Sequence, residues 1–177
     1  MHCDREGILV WQDLPSPNLP SGYEDYAKKN FEDESKRIIT AFRNHPSIIQ
    51  WVVFNESWGQ FDTERMTQIV IGEVGQSLVC CASGWVDAPI GDIKDSHSYP
   101  NPSCPLDETR AGVCGEYGGI TLKVQGHTWP GGDFQYTTVE TGKDFTVLFN
   151  NLADKVIDHY YYGLNAAVYT PVSYTHL

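Results

Sequence analysis

Two glutamates hold the clearest chemistry in this sequence. Glu56 closes the run Ser47-Ile48-Ile49-Gln50-Trp51-Val52-Val53-Phe54-Asn55-Glu56, and Glu116 closes Ala111-Gly112-Val113-Cys114-Gly115-Glu116. Each follows a short apolar or small-residue run that reads as a buried strand. Each precedes Gly, Ser or aromatic residues that read as a loop. Two carboxylates at the C-terminal ends of strands in one parallel sheet would face a common cleft. Glycoside hydrolysis requires that arrangement, with one carboxyl as proton donor and the other as nucleophile or base. The donor must be protonated when the leaving oxygen departs. The nucleophile must be ionised, and the hydroxyl of Tyr99 or Tyr117 would stabilise that charge.

The elements that must position these groups are visible as alternating patterns. Gly7 to Asp13 is an apolar run ending in a polar pair and stopped by Leu14-Pro15-Ser16-Pro17. From Tyr23, apolar residues recur mostly three or four apart up to Phe42, predicting an amphipathic helix closed by Asn44-His45-Pro46. Residues 47–54 form a nearly all-apolar strand, as expected for one covered on both faces. A helix then starts near Asp62, with Met66, Ile69, Val70 and Val74 as its buried stripe. Short strands follow at Val79 to Ser83, Ile93 to Pro100 and residues 112–116. A long Gly- and Pro-bearing loop passes through His127 to Gly132. A helix near 144–160 comes next, with Phe145, Leu148, Leu152, Val156 and Tyr160 on one face, then Gly163 as cap and a last strand at Ala166 to Tyr169.

Strand and helix alternate without tight hairpin signals, so the fold class is α/β with parallel βα units. In an α/β barrel the reactive groups lie at the C-terminal strand ends. Asp13, Asn55, Glu56, Ser83, His97, Tyr99 and Glu116 all fall at such ends.

Composition narrows the partners. The 177 residues suffice for one domain with a core, and the net charge is −11. An acidic surface repels phosphate backbones and anionic lipid, which argues against nucleic acid and membrane as partners. No run approaches a membrane span, and the first residues lack the apolar core of a secretory signal. The chain has 5 Trp, 10 Tyr and 7 Phe, which suits a carbohydrate partner because sugar-binding clefts use aromatic faces. The 5 cysteines are odd in number and lack CxxC spacing, so neither a disulfide scaffold nor a zinc site is expected. No nucleotide-binding glycine motif follows any strand, and no HxxxH, HxH or GxSxG occurs. The expectation is no cofactor and no metal.

Arg43-Asn44-His45-Pro46-Ser47 leading to Asn55-Glu56-Ser57-Trp58, with Gly115-Glu116-Tyr117-Gly118-Gly119 further on, resembles the catalytic barrel of glycoside hydrolase family 2. Gly7 to Asp13 is similar to the third strand of that barrel, Asp95 to Pro100 to its sixth strand end, and Gly163 to Tyr169 to its eighth. The resemblance runs over about residues 5–170. It implies a partial (β/α)8 TIM barrel, about strands 3 to 8, truncated at both ends. The parent's N-terminal β-sandwich domains and first barrel strands would be missing, and the chain alone would be poorly soluble or inactive. Residues 171–177 resemble translated sequencing adapter and are expected to be a non-native tail.

By the same resemblance, Glu56 matches the general acid/base and Glu116 the nucleophile. Asn55 matches a residue that hydrogen-bonds the sugar 2-hydroxyl, and Tyr99 a tyrosine beside the nucleophile. His97, Trp129 and Trp58 are further candidates for substrate contact. The implied activity is retaining hydrolysis of terminal β-glycosides, with β-galactosidase first by its frequency in the family. β-Glucuronidase or β-mannosidase specificity, and a non-catalytic carbohydrate-binding or degenerate barrel, are the alternatives.

Overall fold

The computed structural model describes residues 2–16, 24–57, 59–126 and 136–170. Trp58, His127, Trp129 and the tail from 171 lie outside the described residues. The chain divides into two compact units, residues 1–95 with 108–110, and residues 96–107 with 111–177. Among the described residues no helix is long and apolar enough to cross a membrane.

The first unit contains α1 (His2–Glu6), β1 (Val10–Asp13), α2 (Asp25–Phe42), β2 (Ile48–Phe54), α3 (Thr63–Val74), β3 (Leu78–Ala82) and the start of β4 (Ile93–Ser98). Its strands lie in the order β1-β2-β3-β4. They pair in parallel, with Val10 opposite Ile48, Phe54 opposite Ala82, and Cys80 opposite Ile93. Helices joining neighbouring parallel strands are the βα units that the alternating sequence pattern predicts.

Local chemistry explains the helices. In α2 the exposed face is laced by Lys29–Asp33 and Lys36–Glu32 pairs one turn apart. The opposite face buries Phe31, Ser35 and Ile39, and the Ser35 hydroxyl is satisfied by the Phe31 carbonyl at 2.7 Å. α3 buries Met66, Thr67, Val70 and Val74, and ends at Gly75, whose φ of 73° suits a residue without Cβ. Arg65 of α3 reaches Glu32 of α2 at 2.7 Å and holds that carboxyl down at about 2.

The core of this unit gathers residues of the helices and of β2, which is buried on both faces. Trp51, Val53 and Phe54 pack there with Phe31, Ile39, Met66 and Val70. Phe54 stacks on Phe31 at 5.4 Å between ring centroids and meets Phe61 edge-on at 5.5 Å. Phe54→Ala is expected to destabilise the fold by about 3–5 kcal/mol. Urea unfolding would show this as a lower midpoint at unchanged slope.

The turn before β2 is tied to α1. The Asp4 carboxylate accepts from the Ser47 hydroxyl at 2.6 Å, the Ser47 backbone N–H at 3.1 Å, and His45 Nδ1 at 2.8 Å. These bonds, the Ser47 hydroxyl first, hold Asp4 well below the usual carboxylate range. The Arg43-Asn44-His45-Pro46-Ser47 segment thus has a structural task at the N-terminal end of the strand. The helix at residues 2–6 has no apolar stripe, and periodicity did not predict it.

The second unit contains the end of β4, β5 (Ala111–Gly118), β6 (Ile120–Leu122), β7 (Thr137–Val139), α4 (Gly142–Tyr161) and β8 (Ala166–Thr170). Its larger strands follow the order β4-β5-β8, and β6 pairs with β7 in parallel. β5 and β8 pair in parallel, with a register shift between Cys114 and Tyr117, at the level of Glu116. Such irregularities bend a strand and re-aim a side chain.

α4 opens on Thr141, whose hydroxyl oxygen accepts the Asp144 N–H at 3.1 Å. Leu152 packs with Cys114, Tyr117, Ile120 and Leu164, joined by Phe145, Leu148 and Val156. Tyr160, expected to continue that stripe, is 66% exposed. The buried face ends at Val156. Cys80 and Cys114 are buried, as their strand positions predict.

Candidate active site

In the first unit the candidate positions Asn55 and Glu56 form a corner beyond β2. The strand ends at Phe54, and the next residues, Asn55 and Glu56, are partly buried. Glu56 and Ser57 adopt φ of 51° and 63°, in the left-handed region. Side chains with a Cβ occupy that region at a cost of about 1–3 kcal/mol each, and such outliers gather at functional sites.

The corner is held from β3. Ser83 donates its backbone N–H to the Phe54 carbonyl at 2.9 Å, and its own carbonyl accepts from the Glu56 N–H at 3.1 Å. The Ser83 hydroxyl donates to Asn55 Oδ1 at 2.8 Å. One residue on, the Gly84 N–H donates to Asp95 Oδ2 at 3.2 Å. Asp13, also at a strand end, is exposed at the end of β1.

In the second unit the candidate positions His97 and Tyr99 flank Glu116. The Tyr99 hydroxyl donates to Glu116 Oε2, and His97 Nδ1 stands 3.5 Å from Glu116 Oε1. Burial pushes the Tyr99 hydroxyl far above its ordinary range, and the hydrogen bond to Glu116 adds to this. Tyr99 is therefore a permanent donor to the carboxylate. Of the two tyrosines that sequence suggested for this task, Tyr99 performs it. Tyr117 instead packs in the core, edge-on to Tyr169 at 5.6 Å.

The His97 side chain is 2% exposed, against 27% for Glu116. Tyr136 stacks flat on Tyr99, 3.8 Å between centroids and 3° between planes. The β5 end is fixed by the Gly118 N–H donating to the Pro100 carbonyl at 2.9 Å. Gly118 has φ of 102°, and a Cβ there would run into the Tyr169 ring.

Sequence reasoning named Asn55, Glu56, His97, Tyr99 and Glu116, and all are placed at strand ends. Trp58 and Trp129 lie outside the described residues. It gave no role to Tyr136, which sits beyond the glycine-rich loop, or to the Ser83 hydroxyl, whose bond crosses from β3 to β2.

Tyr99→Phe tests the second cluster. Removing the hydroxyl removes a donor that favours the ionised carboxylate, so Glu116 takes up a proton at higher pH. Hydrolysis that needs Glu116 ionised would then lose its acid limb at higher pH. The expected shift in kcat/KM is about one pH unit, with a drop at the optimum of about 10- to 100-fold. A pH–rate profile of both forms checks this.

Comparison with known proteins bears on the family and the fold. Residues 2–98 match the model for "Glycosyl hydrolases family 2, TIM barrel domain". The chain is similar to a putative beta-glucuronidase of Formosa agariphila, 38% identical over 63 residues, 36% of this chain and 8% of that protein. It is also similar to beta-mannosidase B of Emericella nidulans, 33% identical over 67 residues, 37% of this chain and 8% of that protein. Among solved structures, a GH2 beta-galacturonidase from Eisenbergiella tayi bound to galacturonate superposes with a TM-score of 0.64 at 15% identity. That match covers 95% of this chain and 34% of the solved chain. The fold is a partial (β/α)8 TIM barrel.

Proposed function

Since the chain belongs to glycosyl hydrolase family 2 through its TIM barrel domain, we propose that it carries the two reacting carboxyls of a retaining β-glycosidase. The observation that carries the reading is the setting of Glu116. It lies near the C-terminal end of a parallel strand, accepts the Tyr99 hydroxyl and has His97 against its other oxygen. A carboxylate held by a donor that does not ionise is oriented and kept charged, as a nucleophile requires.

In this account Glu116 attacks the anomeric carbon as Glu56 protonates the departing oxygen. The bond to the leaving group breaks and a glycosyl ester forms on Glu116. Glu56, now a carboxylate, takes a proton from water, and that water opens the ester from the other face. Two inversions give net retention. Asn55, held by Ser83, donates to the sugar 2-hydroxyl. Trp58 and Trp129 complete the proposed substrate contacts.

The proposed substrate is a terminal β-linked sugar. β-Galactoside is the specificity placed first by family frequency. The names of the similar proteins set glucuronide, mannoside and galacturonide beside it. The test is an assay of the full-length protein on aryl β-glycosides of these four sugars, with NMR of the first-formed anomer. The reading expects one to be cleaved with the β-anomer released first. Release of the α-anomer, or no hydrolysis with sugar binding retained, would favour inversion or a binding barrel. In a crystal structure of the full-length protein the two carboxyls are expected ~5–5.5 Å apart.

A further inference from the structure

Ser83 directly follows β3, is buried, and has all three of its polar groups engaged at the Asn55–Glu56 corner. Two of those bonds are backbone bonds, to the Phe54 carbonyl and from the Glu56 N–H, and any residue at position 83 would make them. The third, from Ser83 Oγ to Asn55 Oδ1 at 2.8 Å, requires a hydroxyl. An amide has one accepting end and one donating end. With Oδ1 turned to Ser83, the Nδ2 amino group is left as the donor on the other side.

The serine is itself braced. Its neighbour Gly84 is held by Asp95, a buried carboxylate in β4 that accepts the Gly84 N–H at 3.2 Å. The polar path therefore runs from β4 through the β3 end to the amide at the β2 end.

We infer that Ser83 is a positioning residue for the reaction. Its hydroxyl sets the Asn55 amide with the NH2 group toward the sugar, so the site favours substrates whose C2 substituent accepts a hydrogen bond. The inference rests on the proposal that Asn55 contacts the 2-hydroxyl. A hydrogen bond to that group strengthens in the transition state, so a misplaced amide lowers the rate and not only binding.

The test uses the full-length protein with an aryl β-glycoside and its 2-deoxy counterpart. Four forms are compared with the parent: Ser83→Ala, Ser83→Thr, Asn55→Ala, and Ser83→Ala combined with Asn55→Ala. Alanine at 83 keeps both backbone bonds and removes only the hydroxyl. Ser83→Ala is expected to lower kcat/KM on the 2-hydroxy substrate about tenfold or more, and on the 2-deoxy substrate by less than about threefold. Ser83→Thr restores the preference. On the 2-hydroxy substrate the combined variant is no slower than Asn55→Ala, because the serine acts through the asparagine.

The ratio of the two substrates is independent of how much enzyme folds. Equal losses on both substrates with Ser83→Ala, while Asn55→Ala still loses selectively, would overturn the inference and leave the Asn55 proposal standing. So would an unchanged ratio in Ser83→Ala. Equal losses on both substrates with Asn55→Ala would remove the Asn55 proposal and the inference together.

Discussion

Replacing Glu116 by glycine in the full-length protein is expected to abolish hydrolysis of an aryl β-glycoside, by on the order of 10⁴-fold or more. No side chain then attacks the anomeric carbon, and the two-step route is closed. Tyr99 and His97 remain, so the variant keeps a cavity shaped for an anion where the carboxylate was. Azide fits such a cavity. It would attack the anomeric carbon directly as Glu56 protonates the leaving aryloxide. One displacement inverts the centre, so the product is the α-glycosyl azide. Its recovery assigns Glu116 to the nucleophile. A Glu116→Gly form that hydrolyses at the parent rate would exclude the role.

Glu56→Ala is expected to fail differently, because the lost group acts in both steps. With a poor leaving group, loss of the proton donor slows glycosylation by about 10²- to 10⁴-fold. With dinitrophenolate, which departs without a proton, the first step is nearly preserved and the second becomes slow for want of a base. A burst of one equivalent of dinitrophenol, followed by slow turnover, is the expected trace. Azide bypasses the missing base by attacking the Glu116 ester, and the second inversion makes the product the β-glycosyl azide. The pair of variants thus yields opposite anomers from one reagent. Loss of activity independent of the leaving group would argue against Glu56 as acid/base.

Much of the fold was legible because its elements carry strong local signals. The stripe read as Met66, Ile69, Val70 and Val74 lies on α3, and the apolar run read at 47–54 is β2, which begins one residue later at Ile48. Glu56 and Glu116 stood out as candidates because a carboxylate directly after a buried run invites a chemical reading. What was missed depends on pairing rather than on sequence neighbours. β6 and β7 are three residues each, too short for periodicity, and they flank a glycine-rich stretch. α1 coheres through Asp4, whose partners His45 and Ser47 lie some forty residues on.

The same reason hid the contacts of Ser83 and Tyr136. Ser83 was recognised as a strand-end residue, but its bond to Asn55 follows from the register that sets Phe54 opposite Ala82. Tyr160 failed in the other direction. It continues the α4 spacing, yet the packed face stops a turn earlier and leaves its ring in solvent.

The central claim is that the sugar becomes covalently attached to Glu116. A 2-deoxy-2-fluoro β-glycoside with a dinitrophenolate leaving group slows both steps, and the good leaving group keeps the first faster than the second, so the ester accumulates. Tryptic cleavage after Arg110 and Lys123 releases residues 111–123, in which Glu116 is the only carboxylate side chain. Peptide mass spectrometry of the inactivated full-length protein is expected to find the fluorosugar on that peptide. A fluorosugar on any other peptide, or time-dependent inactivation with none attached, would contradict the account.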